Sequence, residues 1–160
     1  MDDHRLVPAV ATDVDVLMRW FPTAAATARW GGPGFRYPFT RQTFLEDSRW
    51  SSMPPYVLRR GNEMLGFGQF YERYGRINLA RLAVDPGRRG EGLGGRLVRA
   101  MLDESRRHLD NGEYSLFVYR DNEPALRCYR SAGFEIAEYP EGAPLADECY
   151  YLTRPVEKRD

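Results

Sequence analysis

The segment AVDPGRRGEGLGGRL, from Ala83 to Leu97, constrains the fold more than any other part of the chain. It carries glycines at 87, 90, 92, 94 and 95 and arginines at 88 and 89. Ahead of it, RINLARLAV alternates from Ile77 to Val84, which predicts a strand. Behind it, Leu93, Leu97, Val98, Met101 and Leu102 share one helical face, which predicts a helix running to about Leu109. Backbone N–H groups at a helix start lack intrahelical partners, and the macrodipole adds partial positive charge there. Glycines let such a backbone approach a ligand closely and adopt φ > 0. With Arg88 and Arg89 adding two full charges, the loop reads as a cradle for a diphosphate. The competing reading is a turn that merely starts a helix, but a turn needs only one or two glycines.

The rest of the chain reads as a mixed α/β domain. RLVPAV suggests a first strand, and TDVDVLMRWF a helix with Val14, Leu17, Met18 and Phe21 on one face and Thr12 as its cap. WGGPGFRYPFT has loop composition, and Thr40 would cap a second helix through RQTFLEDSRW. PPYVLRRGNEMLGFGQFYER reads as two strands around a turn at Gly61-Asn62. Downstream, EYSLFVYR is a strand. NEPALRCYRSAG is a short helix with Asn122 at its cap, Pro124 in its first turn and Gly133 just past its end. FEIAEYP and ECYYLTRPV are the last strands, followed by a charged tail expected to fray. The front half is then antiparallel, with a βαβ-like crossover around the glycine loop.

Bulk properties narrow the partners. A length of 160 residues suggests one domain over 1–160, and 42% hydrophobic with 29% charged residues is a globular composition. The 23 basic and 23 acidic residues balance, so nucleic acid and anionic membranes are not expected as partners. No apolar run approaches a membrane span, and MDDHRLVPAV does not look like a signal peptide. Cys128 and Cys149 are far apart and are read as reduced thiols of a cytoplasmic protein. With those cysteines, His4 and His108 scattered singly, no metal site is expected.

Several diphosphate ligands are conceivable. Gly90, Gly92 and Gly95 fit the G-x-G-x-x-G of a dinucleotide site, and Asp121, at the end of the next strand, could hold a ribose. That reading wants the glycines directly after the strand, whereas Asp85 to Arg89 intervene, and about half the chain precedes the unit. A Walker-type loop is excluded, because no Gly-Lys-Ser/Thr is present.

Within LAVDPGRRGEGLG, Arg89, Gly92 and Gly94 match an Arg/Gln-x-x-Gly-x-Gly/Ala pattern. In NEPALRCYRSAGF, Asn122, Ala125, Tyr129, Gly133 and Phe134 match a second one. The chain thereby resembles the GNAT family of acetyl-CoA-dependent N-acetyltransferases, closely over about residues 76–139 and by element order beyond. The resemblance implies a mostly antiparallel central sheet with one splayed parallel pair and flanking helices. The strand ending at Val84 would diverge from the one starting near Glu113. The pantetheine arm of coenzyme A would pair with Leu82, Ala83 and Val84. The diphosphate would sit on the amides of Arg89, Gly90, Glu91, Gly92, Leu93, Gly94 and Gly95, and Asn122 would contact the cofactor.

Acyl transfer to an amine needs a neutral amine, a polarised carbonyl and a protonated leaving thiolate. Tyr129 shares a helix face with Asn122, and the resemblance makes it the general acid. The alternative for Tyr129 is a ring that packs on the sheet. Neighbouring Cys128 points elsewhere on that helix and is read as core. Many family members carry a glutamate where this chain has Asn78, which cannot accept the proton. A water chain, Glu72 or Glu46 could substitute, although surface charge is the plainer reading of both acids. The acceptor side would come from Trp30, Phe35, Arg36 and Tyr37 on the early loop, with Asn78 and Glu72 nearby. A small-molecule amine or a protein N-terminus fits, in a monomer or homodimer. A non-catalytic acyl-CoA sensor and a NAD(P)-binding oxidoreductase domain are the alternatives.

Overall fold

A computed structural model describes residues 3–157. The elements run β1 (His4–Pro8), α1 (Asp13–Met18), α2 (Ala24–Gly31), α3 (Arg41–Asp47), β2 (Pro55–Arg60), β3 (Glu63–Arg73) and β4 (Arg76–Val84). A single 3-10 turn over Pro86–Arg88 leads to α4 (Leu93–Ser105), β5 (Glu113–Tyr119), α5 (Glu123–Ser131), β6 (Glu135–Ala137) and β7 (Cys149–Pro155). The strands form one sheet in the order β1-β2-β3-β4-β5-β7-β6, in which only β4 and β5 run parallel. This is the expected mixed, mostly antiparallel sheet with a splayed parallel pair and flanking helices.

The sheet is covered on both faces because its central strands alternate. In β2, Leu58 joins a core with Leu97, Met101, Leu116 and Leu152, whereas its neighbour Val57 joins Leu17, Phe44 and Phe67. The apolar stripe of α4 fills the first core, and α1 and α3 supply the second. α3 begins with a reciprocal cap, since Thr40 accepts from the Thr43 amide at 3.1 Å and Thr43 Oγ1 accepts from the Thr40 amide at 2.9 Å. α5 starts as expected, with Asn122 accepting from the Ala125 amide and Pro in the first turn.

Local expectations needed correction at the front end. Thr12 does not cap α1; it is itself helical, with φ −70° and ψ −19°. Among the described residues no side chain caps α1; Asp13 in its first turn instead accepts from the Val10 amide at 2.8 Å and pairs with Arg59 at 2.5 Å. The first helix ends at Met18, and α2 is an extra helix, capped by Thr23 accepting from the Ala26 amide at 3.1 Å. The alanine run behind Thr23 was its signal. Trp30 therefore lies in the last turn of α2 and not on a loop. At the other end, β6 is shorter than FEIAEYP suggested, and residues 158–160 of the charged tail lie outside the described residues.

Candidate functional site

β4 and β5 pair only at Ile77–Tyr114 and Asn78–Ser115. Beyond those positions the strands part and leave a cavity of about 380 Å³. Leu79, Ala80, Arg81 and Leu82 line it from β4, and Leu116, Phe117, Val118 and Tyr119 from β5. Past Asn78, the β5-facing edge of β4 carries backbone groups open to a ligand, while β3 holds its other edge at Ala83 and Val84.

The glycine loop sits at the end of that edge. Asp85 accepts from the Gly87 amide at 2.9 Å and fixes the turn. Gly90 and Gly92 have φ of 85° and 75°, the left-handed region that favours glycine, and Gly92 is the N-cap of α4. Among the described residues no side chain caps this helix. Among the described residues, the amides of Gly90, Gly92, Leu93, Gly94 and Gly95 donate to no protein acceptor. That is a row of oriented donors at a helix start, suited to an anion. The two arginines are not equivalent. Arg88 is ion-paired to Glu63 and lies 3.6 Å from Glu91, whereas Arg89 is exposed and has no ion pair among the described residues. Only Arg89 offers an unspent charge, which corrects the expectation of two.

Tyr129 and Asn122, on one side of α5, both line the cleft. Tyr129 stacks edge-on against Phe134 at 6.4 Å, and its hydroxyl has no hydrogen-bond partner among the described residues. Burial pushes its pKa well above the usual tyrosine value, so it keeps its proton. Cys128 is half-buried against α4, where a side chain at Gly94 would meet its sulfur at 3.4 Å. Burial raises its thiol pKa, so it is not an activated nucleophile.

The floor of the cleft holds a feature the sequence reading missed. Between the Phe67–Ala83 and Gln69–Ala80 pairs, β4 carries one extra residue, a bulge at Arg81 and Leu82. Arg81 has φ 50°, a strained conformation for a side-chain-bearing residue. Trp30 donates its indole N–H to the Arg81 carbonyl at 2.8 Å. The Arg81 guanidinium reaches Gln69 Oε1 at 3.1 Å, the Asp47 carbonyl at 3.2 Å and the Ser48 carbonyl at 3.3 Å. Gln69, fully buried, donates to the carbonyls of Ser48 at 2.7 Å and Met53 at 2.9 Å. Burial, with Arg49 nearby, lowers the Arg81 pKa, while Tyr71 and Asp47 oppose that. A charged residue inside an apolar strand and a glutamine amid the apolar GFGQF were the available signals.

The structure brings Trp30 and Asn78 to the cleft, but not the other residues expected on the acceptor side. Phe35 is buried among Trp30, Phe39 and Phe44. Tyr37 is exposed and donates to the Pro22 carbonyl at 2.6 Å. Arg36 is spent on Asp47 at 2.9 Å and Glu46 at 2.8 Å, outside the cleft lining. Glu72 accepts from the Asn111 side chain at 2.8 Å and does not line the cleft. Asn78 is buried and accepts from the Ser115 hydroxyl at 3.1 Å. Among the described residues no carboxylate lines the cleft, so neither Glu72 nor Glu46 stands where an attacking amine would be.

An open strand edge leading to a helix N-terminus whose amides are unclaimed suits an extended ligand that carries a diphosphate. The pattern of the acetyltransferase (GNAT) family matches residues 23–134, and the chain belongs to this family. It is 37% identical over 82 residues to the N-alpha-acetyltransferase RimI of Mycobacterium tuberculosis, a match covering 48% of this chain and 49% of that protein. The chain spans about half or less of the length of the curated relatives it matches. Among solved structures, the spermidine N-acetyltransferase from Vibrio cholerae in complex with CoA and spermine aligns with a TM-score of 0.75 at 14% identity, over 96% of each chain. An aminoglycoside acetyltransferase in complex with coenzyme A aligns with a TM-score of 0.73 at 21% identity, over 95% of this chain and 94% of that one. Both likenesses are of fold. Among the described residues, no helix is long and apolar enough to cross a membrane.

Proposed function

We propose that the chain is an acetyl-CoA-dependent N-acetyltransferase that acetylates a primary amine, a small molecule in the first instance, by direct attack in a ternary complex. The observation that carries this reading is the run of unclaimed amides from Gly90 to Gly95 at the end of an open strand edge. These residues fit coenzyme A: the edge at Leu82 to Val84 suits the pantetheine amides, and the loop with Arg89 suits the diphosphate. Acetyl-CoA, when bound, supplies an activated thioester carbonyl.

The chain's own groups then divide the work. Backbone N–H groups near Val84 polarise a carbonyl placed against the edge. Tyr129 offers a protonated hydroxyl, unclaimed by the protein, to the leaving sulfur. Asn78 positions polar groups but takes no proton. With no carboxylate among the described residues of the cleft, the amine's proton leaves through water. Cys128 plays no covalent part. The test is incubation with acetyl-CoA and a broad amine panel, following free thiol release. Turnover with a CoA-induced thermal shift is expected. No turnover on the panel together with no shift overturns the reading.

A further inference from the structure

Among the described residues every charged side chain that lines the cleft is an arginine: Arg29, Arg49, Arg73 and Arg81. Arg29 is neutralised by Asp121 at 2.7 Å. Arg81 is half-buried and held by Gln69 and backbone carbonyls, with its Nε lacking a hydrogen-bond partner among the described residues. Arg49 and Arg73 have no ion pair among the described residues. Arg73 is held by rings alone, 4.7 Å over Phe117 and 5.2 Å over Tyr74, contacts that orient a guanidinium without cancelling its charge. The cleft is thus a cationic site in which Arg49 and Arg73 are balanced by no carboxylate among the described residues.

Arg73 is not placed for the diphosphate. Along β3, Arg73 pairs with Arg76 at the hairpin end, and Gly66 pairs with Val84 beside the loop. Seven strand steps separate Arg73 from Gly66, about 23 Å at the usual rise. The cation at Arg73 serves the far end of the cleft.

We propose that the acceptor is an amine that also carries an anionic group, a carboxylate or a phosphate, and that Arg49 and Arg73 hold that group. Guanidinium forks bind both oxyanions through paired N–H donors. The same field disfavours polycationic amines, whose second charge would meet unbalanced arginines. It also lowers the pKa of an acceptor ammonium, which favours the neutral nucleophile in a cleft without a carboxylate base. This inference rests on the acetyltransferase reading for the amine, and on the cleft alone for the anion.

The experiment uses matched acceptors with the CoA-loaded protein: amino acids against their C-terminal amides, O-phosphoethanolamine against ethanolamine, and spermidine and kanamycin as polycations. Binding is read by tryptophan fluorescence, and turnover by thiol release with acetyl-CoA. The anionic member of at least one pair should bind and turn over about tenfold or more better than its neutral partner. The two kinds of pair separate a carboxylate from a phosphate. Arg73→Met and Arg49→Met should abolish the preference through KM while the acetyl-CoA KM stays unchanged, and Arg73→Lys should restore part of it. Anion preference in binding without turnover overturns the acetyltransferase reading and keeps the anion site. Turnover that favours neutral or polycationic amines, or absence of binding by every anionic member, overturns the anion site.

Discussion

The indole N–H of Trp30 donates to the carbonyl of Arg81 at 2.8 Å, joining α2 to the bulge in β4. This bond pins a residue whose φ of 50° is unfavourable for a side chain. The Trp30 ring also stacks on Phe21 at 4.2 Å and on Phe44 at 5.5 Å. One side chain therefore ties the second core to the floor of the cleft. Trp30→Phe keeps an aromatic in that stack and removes the donor. It should cost about 1–2 kcal/mol in denaturant unfolding, mostly the lost hydrogen bond to a half-buried carbonyl. Acceptor KM should rise more than acetyl-CoA KM, because the bulge relaxes on the acceptor side. Equal changes in both would detach the bulge from acceptor binding.

At Gly92, nothing lies within 4 Å of where a Cβ would stand, so an alanine there meets no clash. The strain is in the backbone alone, at φ 75°. Gly92→Ala should destabilise by about 1–2 kcal/mol and weaken CoA binding, because the first-turn amides re-aim. Gly92→Asn should recover part of both, since asparagine tolerates the left-handed region. Gly112→Ala is the control, at a glycine with open space and no positive φ, and should leave both unchanged. The readouts are thermal unfolding and CoA titration by calorimetry.

How much of this was legible in the sequence follows from where the information is local. The loop, its strand and its helix were readable because glycine spacing and the stripe from Leu93 to Leu102 are short-range signals. The α5 cap at Asn122 and the α3 cap at Thr40 were readable for the same reason. Arg36 misled because its commitment to Asp47 and Glu46 is set by the packing of a loop on α3. Phe35 likewise turned inward, since an aromatic loop residue finds more burial under Trp30 than in a wet cleft. The sequence showed only a charged residue inside an apolar strand; the bulge at Arg81 itself is a mismatch between two strands and not a property of either. The cationic lining was also hidden: Arg29, Arg49, Arg73 and Arg81 come from four separate segments, in a chain whose total charge is balanced.

Stability should fall on the alkaline side. Burial raises the pKa of Tyr56, Tyr114, Tyr119, Tyr129 and Tyr139. In the unfolded chain these groups ionise near about pH 10, while the folded chain holds their protons longer. The unfolded state then binds fewer protons, so unfolding free energy decreases as pH rises. The contribution is full below about pH 10 and is lost as pH climbs toward the folded values. On the acid side, the hydrogen bond from Arg36 lowers the Asp47 pKa. That stability is present above about pH 4 and is lost as pH falls through the folded value. The pair is partly exposed, so its effect is small and shrinks with salt. Thermal melts from pH 3 to 11 check both limbs: Arg36→Met should flatten the acid one, and Tyr129→Phe should make the alkaline one shallower.

Tyr129→Phe also separates an enzyme from a sensor of acyl-CoA. The hydroxyl bonds to no protein group among the described residues, and the ring's contact with Phe134 survives the substitution. Stability near neutral pH and the CoA-induced thermal shift should therefore be unchanged. If the hydroxyl protonates the leaving sulfur, kcat should fall about a hundredfold with little change in acetyl-CoA KM, the usual size of a lost general acid. The raised pKa fixes the sign of the pH profile: the acid form persists through neutrality, so wild-type kcat should not decline from this group below about pH 10. A variant with undiminished kcat would leave Tyr129 as an aromatic that packs beside the cleft and would assign the sulfur's proton to water.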